Sequence, residues 1–363
     1  MIKFIHAADL HLDSAFAALE PERARQRRQE ARELPKRLAQ LALAEKADLV
    51  LLSGDLFDGA QVYPETMEQL RAALEQMACP VFIAPGNHDP CTVTSPYMAE
   101  PWPDNVHIFR SGEMSQVYIE ELGCVVHGAA FTGGDREDEV LAGFSVPVDD
   151  RLHIICLHGN VTAAEGRYGP IRKEQIALCG ADYLALGHVH QFSGLNKQGV
   201  TCWAYPGCPE GRGFDELGDK GVLVGTIRKK EVQARFVPLA ARRYRLLRVD
   251  VTDCPPAQAL ESAVTAEMET DICRVVFIGE AGETGVDLKA LAAEFSRRFY
   301  ALQLRDETTP SRDLWDRAGE DSLRGLFLQK LRRQYDAARE PDREKILRAV
   351  RFGLAAMDGR DLG

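Results

Sequence analysis

Five times in the first 190 residues of this chain, an apolar run stops at a short cluster of Asp, Asn and His. IKFIHAADLH closes on Asp9 and His11, ADLVLLSGDLFD on Asp55 and Asp58, and CPVFIAPGNHD on Asn87, His88 and Asp89. RLHIICLHGN closes on His158, and ADYLALGHVH on His188 and His190. Short apolar runs bounded by Gly and Pro read as strands covered on both faces. Charged helical patterns separate the first of them: residues 22–46, which Pro35 interrupts or restarts, and 64–77, with Pro64 suited to a first turn. The runs GVLVGTI and VQARFVPL alternate like antiparallel strands. The class is α/β, and in open α/β sheets ligands bind beyond the carboxyl ends of the strands, where all five clusters fall.

Each cluster alone has an ordinary structural explanation. Asp-x-His and His-x-His put two side chains on one side of an extended segment, which suits chelation but also arises without it. Ser-Gly-Asp reads as a turn with an Asx cap, Gly-Asn-His-Asp as a turn with Asn in a left-handed conformation, and His-Gly-Asn as a core histidine beside a tight turn. Turn chemistry does not explain five of them at strand ends in one domain. Carboxylate, amide and imidazole together suit Mn²⁺, Fe²⁺ or Zn²⁺ better than Ca²⁺. The donors are too many for one ion, whereas two ions about 3.5–4 Å apart sharing a carboxylate would use them. Asp13 reads as a cap with Ser14, and Asp89 as a turn cap or a support for His88. His6 lies beside the first cluster, His127 ends a strand-like run without a motif, and His107 and His153 read as incidental.

Composition narrows the setting. The 363 residues suggest about two domains. Nine Cys, an odd number with no Cys-x-x-Cys, disfavour a disulfide framework or a Cys-bound zinc and fit a reducing cytoplasm. No window approaches the ~20 apolar residues of a membrane span, and MIKFIHAADLHLDS does not read as a secretory signal. The formal charge is −11, unevenly spread: residues 242–363 carry 21 Lys and Arg against 22 Asp and Glu, leaving 23 against 33 before them. A generally basic nucleic-acid surface is therefore not expected, and two dications would make the strand-end site locally positive. The character of the chain changes near residues 238–243. A strand-helix-strand-helix-strand pattern then fills 244–308, and Arg-rich helical segments fill 312–363.

The order D-x-H, G-D-x-x-D, G-N-H-D, H-G-N and G-H-x-H resembles the calcineurin-like metallophosphoesterase family over residues 1–240. The resemblance implies a four-layer α/β/β/α sandwich, followed by a smaller α/β capping domain and a helical C-terminal tail. It implies that Asp9, His11 and His190 hold a first metal, that Asn87, His158 and His188 hold a second, and that Asp55 bridges them. His88 would face the scissile phosphate, with Asp58 where the family often places a partner that orients it. A metal-bridging hydroxide would attack phosphorus, with Mn²⁺ expected and Fe²⁺, Zn²⁺ or Mg²⁺ as other choices. His88 would stabilise the developing charge or protonate the leaving group.

Within that family, FIHAADLHLDSAF, SGDLFD with PGNHDP, and AYPGCPEGRGFDELGDKG resemble bacterial DNA-repair exonucleases of the SbcD and YhaO type. Asp13-Ser14, where the SbcD sequences usually carry Gly, favours the YhaO branch. The implied activity is exonucleolytic or endonucleolytic hydrolysis of phosphodiester bonds at DNA ends, duplex or single-stranded, in repair or recombination. A phosphomonoesterase or small-nucleotide phosphodiesterase is the competing reading. Arg212 reads as a phosphate contact, since its Gly neighbours permit close approach, and the basic run at residues 21–37 as a phosphate-tracking patch or a solvated helix face. The resemblance also implies a homodimer and an SMC-like coiled-coil ATPase partner. The apolar stripes Leu323, Phe327, Leu331, Tyr335 and Ile346, Leu347, Val350, Leu354, Met357 would dock this partner or pack on the same chain.

Overall fold

The protein is described by a computed structural model, which covers residues 1–59, 61–162, 165–282, 285–310 and 312–359. The chain divides into two compact units, Met1–Arg243 and Tyr244–Gly363. The last four residues of the 312–363 segment lie outside the described ones.

The first unit is built on two six-stranded sheets among the described residues. In one, β1 (Ile2–Ala7), β2 (Leu49–Leu52), β3 (Val81–Ile83) and β4 (Val106–Ile108) run parallel, and β13 (Gly221–Arg228) and β14 (Glu231–Pro238) extend the β1 edge antiparallel. In the other, β6 (Cys124–Gly128), β7 (Leu152–His158), β10 (Tyr183–Gly187) and β12 (Thr201–Ala204) run parallel. Antiparallel β5 (Ser115–Ile119) and β11 (Asn196–Gln198) form its edges. A short ladder, β8 (Asn160–Val161) with β9 (Pro170–Ile171), lies after β7.

The period of two sorts the side chains into layers. Phe4, Leu49, Leu51 and Phe82 pack with Ile154, Cys156, Tyr183 and Ala185 in a core shared by the two sheets. Ile5, Ala7, Val50, Leu52, Val81 and Ile83 form another core with Leu38 and Ala42 of α2 (Leu34–Glu45) and Leu70 and Leu74 of α3 (Pro64–Gln76). Ile155, Leu157, Leu184 and Leu186 cluster with Ile176 and Cys179 of α5 (Lys173–Cys179). This is the four-layer α/β/β/α sandwich, and burial on both faces explains why its central strands read as unbroken apolar runs. Helix α1 (Pro21–Arg32) ends one residue before α2, the break expected at Pro35, and α4 (Pro96–Ala99) is a single turn. All nine cysteines are free, and no described helix is long and apolar enough to cross a membrane.

The second unit contains a parallel three-stranded sheet in the order β15 (Tyr244–Asp250), β16 (Ile272–Ile278), β18 (Ala301–Asp306). Its core joins Val249, Val275 and Phe277 to Leu260 of α6 (Pro256–Ala263) and Leu291 and Phe295 of α7 (Leu288–Phe295). Two-residue β17 (Glu280–Ala281) and β19 (Thr309–Pro310) pair beside it. Helices α8 (Leu323–Ala337) and α9 (Asp342–Met357) share a small core of Leu328, Val350 and Leu354 with Leu314. Arg351 of α9 donates to the Thr308 carbonyl at 2.6 Å and pairs with Asp306.

The inward face of α8 carries Phe327 and Leu331 of the expected stripe, packed on this core, and adds Leu328 to them. Leu328 is fully buried, whereas Leu323 and Leu326 are 74% and 62% exposed. The reason is the preceding 3₁₀ segment: Leu314 and Trp315 pack in the Leu328 core, and the Trp315 ring sits 5.6 Å from that of Tyr335.

The sandwich leaves very little room where the strand ends of opposite sheets meet. A Cβ on Gly187, at the end of β10, would lie 1.9 Å from the Ser53 carbonyl oxygen just after β2. Gly187→Ala must push the two sheets apart there, and is expected to destabilise the first unit by about 1–3 kcal/mol. Denaturant unfolding followed by tryptophan fluorescence checks this, and an unchanged midpoint would show that the contact is not tight.

Candidate metal centre

The five clusters meet at one place. Asp9 and His11 follow β1, Asp55 follows β2, Asn87 and His88 follow β3, His158 ends β7, and His188 and His190 follow β10. The segments after β1 and β2 keep pairing as an irregular ladder: Asp9 N to Gly54 O at 3.0 Å, His11 N to Asp55 O at 3.0 Å and Leu12 N to Leu56 O at 2.8 Å. The second sheet is tied in where His188 N donates to both carboxylate oxygens of Asp9, at 3.0 and 3.1 Å. Asp9, His11, Asp55 and His188 all have positive φ, at 55°, 43°, 52° and 110°. Such backbone costs roughly 1–3 kcal/mol per residue and persists where surrounding structure holds it. Gly86 admits the Asp55 side chain, since a Cβ there would lie 2.1 Å from Asp55 Oδ1.

Hydrogen bonds on the outer side of each ring decide what faces inward. His11 Nδ1 lies 3.1 Å from Asp58 Oδ1, His190 Nδ1 2.7 Å from Glu216 Oε1, and His158 Nδ1 2.9 Å from the Ser53 carbonyl. All three partners are acceptors, so each Nδ1 carries the hydrogen and each Nε2 turns a bare lone pair inward. Two of those bare nitrogens, His11 Nε2 and His190 Nε2, stand 3.1 Å apart. His158 Nε2 faces Asn87 Oδ1 at 3.0 Å and Asp55 Oδ2 at 3.4 Å, and His188 Nδ1 lies 3.2 Å from the same amide oxygen.

Protonation does not relieve this crowding of acceptors. Burial lowers both His11 and His188 to about 4, and lowers His158 as well, so the rings are neutral at pH 7. Burial and the charge of Asp55 push the Asp9 carboxyl well up. Lone pairs of neutral imidazoles and buried carboxylates aimed at one another are repulsive unless a cation lies between them. The residues therefore fit bound cations, and they fall into two groups. Asp9, His11 and His190 form one, with His190 Nε2 3.9 Å from Asp9 Oδ1. Asn87, His158 and His188 form the other, and Asp55 Oδ2 stands between them, 3.8 Å from His11 Nε2 and 3.4 Å from His158 Nε2.

His88 sits at the rim. It is exposed while the donors behind it are buried or half-buried, and its backbone N–H donates to Asp55 Oδ1 at 3.0 Å. Its ring packs edge-on to that of His11, with centroids 4.9 Å apart. Asp58 departs from its expected role of orienting His88. It comes within 4.8 Å of a His88 ring nitrogen, but its carboxylate is hydrogen-bonded to His11 and to Arg212 Nη1, each at 3.1 Å. The chain places Asp58 N on the Leu12 carbonyl, next to His11, which turns the carboxylate toward that ring.

Arg212, expected to contact phosphate, is instead held among carboxylates. Besides Asp58, its Nη2 donates to Glu216 Oε1 at 2.9 Å and its backbone N–H to Glu216 Oε2 at 2.8 Å. Nη2 also lies 3.1 Å from His190 Nδ1, but both nitrogens carry hydrogens and both hydrogens go to Glu216. Burial pushes the Glu216 carboxyl up, but His190 and Arg212 more than reverse this and hold it far below the usual carboxylate range. Glu216 was not singled out from the sequence. Its signal is faint: a carboxylate four residues after Arg212 in a Gly-rich loop.

The other highlighted residues serve the scaffold. His6 lies in the inter-sheet core, between the Tyr183 hydroxyl at 2.9 Å and Ser53 Oγ at 3.2 Å. Asp13 accepts from Arg32, from Thr66 Oγ1 at 2.7 Å and from Tyr63 N at 3.1 Å, anchoring the start of α3 rather than capping a turn with Ser14. Asp89 accepts from Leu56 N, Phe57 N, Gly86 N and the Tyr97 hydroxyl, which fixes the loop carrying Asp55. His127 and His153 are buried against each other at 3.0 Å, away from the donors. Part of the basic run turns inward, while Arg25 and Lys36 stay on the exposed face. Arg27 is fully buried on Glu210 and Glu30, Arg37 reaches Glu210, and Arg32 reaches Asp13.

The chain belongs to the calcineurin-like phosphoesterase family, whose sequence profile matches residues 2–192. Among individual proteins it is similar to YhaO of Bacillus subtilis strain 168, an uncharacterised metallophosphoesterase. The two are 29% identical over 337 residues, 85% of this chain and 82% of that one. It is also similar to the DNA double-strand break repair protein Mre11 of Aeropyrum pernix, with 24% identity over 248 residues, 61% of this chain and 56% of the relative. Among solved structures, TT1561 of Thermus thermophilus matches with a TM-score of 0.40 and 10% identity, over 65% of this chain and 98% of that chain. The protein is thus a metallophosphoesterase, a hydrolase of phosphoesters that uses divalent metal.

Because Asp55 lies between the two donor groups, Asp55→Ala is expected to abolish retention of Mn²⁺ through gel filtration, read by plasma mass spectrometry. Asp13→Asn, whose carboxylate serves Arg32 and α3, should retain it. Full retention by Asp55→Ala would contradict the shared position.

Proposed function

We propose that the protein hydrolyses phosphodiester bonds in DNA, at or near ends, with two divalent cations, most naturally Mn²⁺. Asp9, His11 and His190 hold one, Asn87, His158 and His188 hold the other, and Asp55 touches both. The observation that carries the reading is an exposed His88 at the rim of a set of converging donors. A proton donor at that rim can serve the oxygen that leaves phosphorus.

A bound pair of dications supplies Lewis acidity to a phosphoryl oxygen and makes the attacking water more acidic. The chain's own residues do the rest. The carboxylates of Asp9 and Asp55 bring negative charge that the cations offset, so the open edge of the site attracts a phosphate monoanion. His88, outside both donor groups, is free to donate to a non-bridging oxygen or to the departing oxygen. The main chain fixes its position through His88 N on Asp55, so proton donor and donor set move together.

DNA as the substrate is supported by the similarity to an archaeal break-repair protein over 61% of this chain, including part or all of the donor clusters. The α/β unit and helical tail after Arg243 add a second body that hydrolysis of a small monoester does not require. On the same reading, the exposed Leu323, Leu326 and Phe352 of α8 and α9 are offered to a coiled-coil ATPase subunit. Co-purification with that subunit, lost in a Leu326→Glu/Phe352→Glu variant, would support the pairing.

The activity test compares three substrates with the Mn²⁺-loaded protein: linear duplex DNA, a chromogenic phosphate bis-ester and the corresponding mono-ester. The expected order is cleavage of DNA and bis-ester with the mono-ester at background. Mono-ester turnover above that of DNA would replace this reading by a phosphomonoesterase. His88→Ala should lower DNA cleavage by at least about 100-fold while both Mn²⁺ ions stay bound.

A further inference from the structure

The two donor groups are backed differently. His158 of one group leans on a main-chain carbonyl, Ser53 O. Both imidazoles of the other lean on carboxylates, His11 on Asp58 and His190 on Glu216. A single guanidinium joins those two carboxylates, with Arg212 Nη1 on Asp58 and Nη2 on Glu216. His190 needs such support more than His11 or His158. Its side chain is 29% exposed, while those of His11 and His158 are completely buried.

The segment that carries the brace is itself fixed. Lys220 Nζ and Cys208 N both donate to the His190 carbonyl, at 2.9 and 3.3 Å. Glu210 is buried among Arg27, Arg37 and the backbone N–H of Ala241. A carboxylate behind a ligating imidazole fixes its tautomer and raises the basicity of the inward nitrogen more than a carbonyl does.

Building on the two-cation reading, we infer that Glu216 and Arg212 are positioning residues for the Asp9–His11–His190 cation alone. Glu216 acts on His190 directly, and Arg212 couples it to Asp58 and so to His11. Arg212 thereby serves the cation instead of the phosphate.

The probe is Mn²⁺ itself, titrated into the full chain by calorimetry, with electron paramagnetic resonance distinguishing isolated from spin-coupled ions. Glu216→Gln is expected to weaken one of the two bound Mn²⁺ by 10–100-fold and leave the other within about twofold. At one equivalent the ion should be isolated. Double variants assign the position. Glu216→Gln should still cost 10–100-fold in an Asn87→Ala background and nothing further in a His190→Ala background. Asp58→Asn, which acts on His11, should weaken the same ion, and it carries the test if Glu216→Gln does not fold.

Equal weakening of both ions, or loss of affinity only in step with a lower melting temperature of the metal-free protein, would mean a scaffold role and overturn the inference. Unchanged affinities would overturn it too. A parent protein that binds a single Mn²⁺ would instead sink the two-cation reading, and the selectivity with it.

Discussion

The structure is organised around a repulsion. Bare nitrogen and oxygen lone pairs from five strand ends are held within hydrogen-bonding distance of one another, with no hydrogen available to lie between the key pairs. His11 Nε2 and His190 Nε2 at 3.1 Å show it most simply, because Asp58 and Glu216 have already taken the hydrogens of both rings. Burial keeps His11 neutral and, together with the charge of Asp55, makes Asp9 costly to ionise. Cations turn that cost into binding energy, and Asp55 links the two halves because its Oδ2 faces both.

The fold supplies the force that holds this arrangement. Two parallel sheets pack on a shared apolar core and aim the carboxyl ends of β1, β2, β3, β7 and β10 at one region. The sheets approach so closely there that Gly187 has no space for a side chain, and within one sheet Gly86 leaves room only for Asp55. Four of the donors accept left-handed backbone in return for their positions. Residues that look functional by type, such as His6 and Asp89, spend their hydrogen bonds on this packing. His88, by contrast, stands exposed at the rim of the donor set.

Much of this could be read without coordinates, for a physical reason. A doubly covered strand must be apolar throughout, so the polar residues that follow it stand out sharply, and all seven predicted donors lie in one constellation. The α/β class and the strand-helix alternation after residue 243 follow from the same periodicities, the break near Pro35 from its ring, and the sandwich from the family resemblance. What escaped was set by contacts distant in sequence. Asp58 turns to His11 because the backbone ladder between the first two clusters carries it there. Arg212 meets the carboxylates of Asp58 and Glu216 because a loop with no regular period brings Glu216 beside it. Phe327 and Leu331 of the α8 stripe do pack inward, and Leu328 joins them because a 3₁₀ segment with no helical repeat to announce it covers that residue.

The most direct test is anomalous diffraction from crystals soaked in Mn²⁺. The account predicts two peaks about 3.5–4 Å apart with the Asp55 carboxylate between them, His11 and His190 on one and His158 and His188 on the other. One peak alone, or two peaks that Asp55 does not touch, would contradict it.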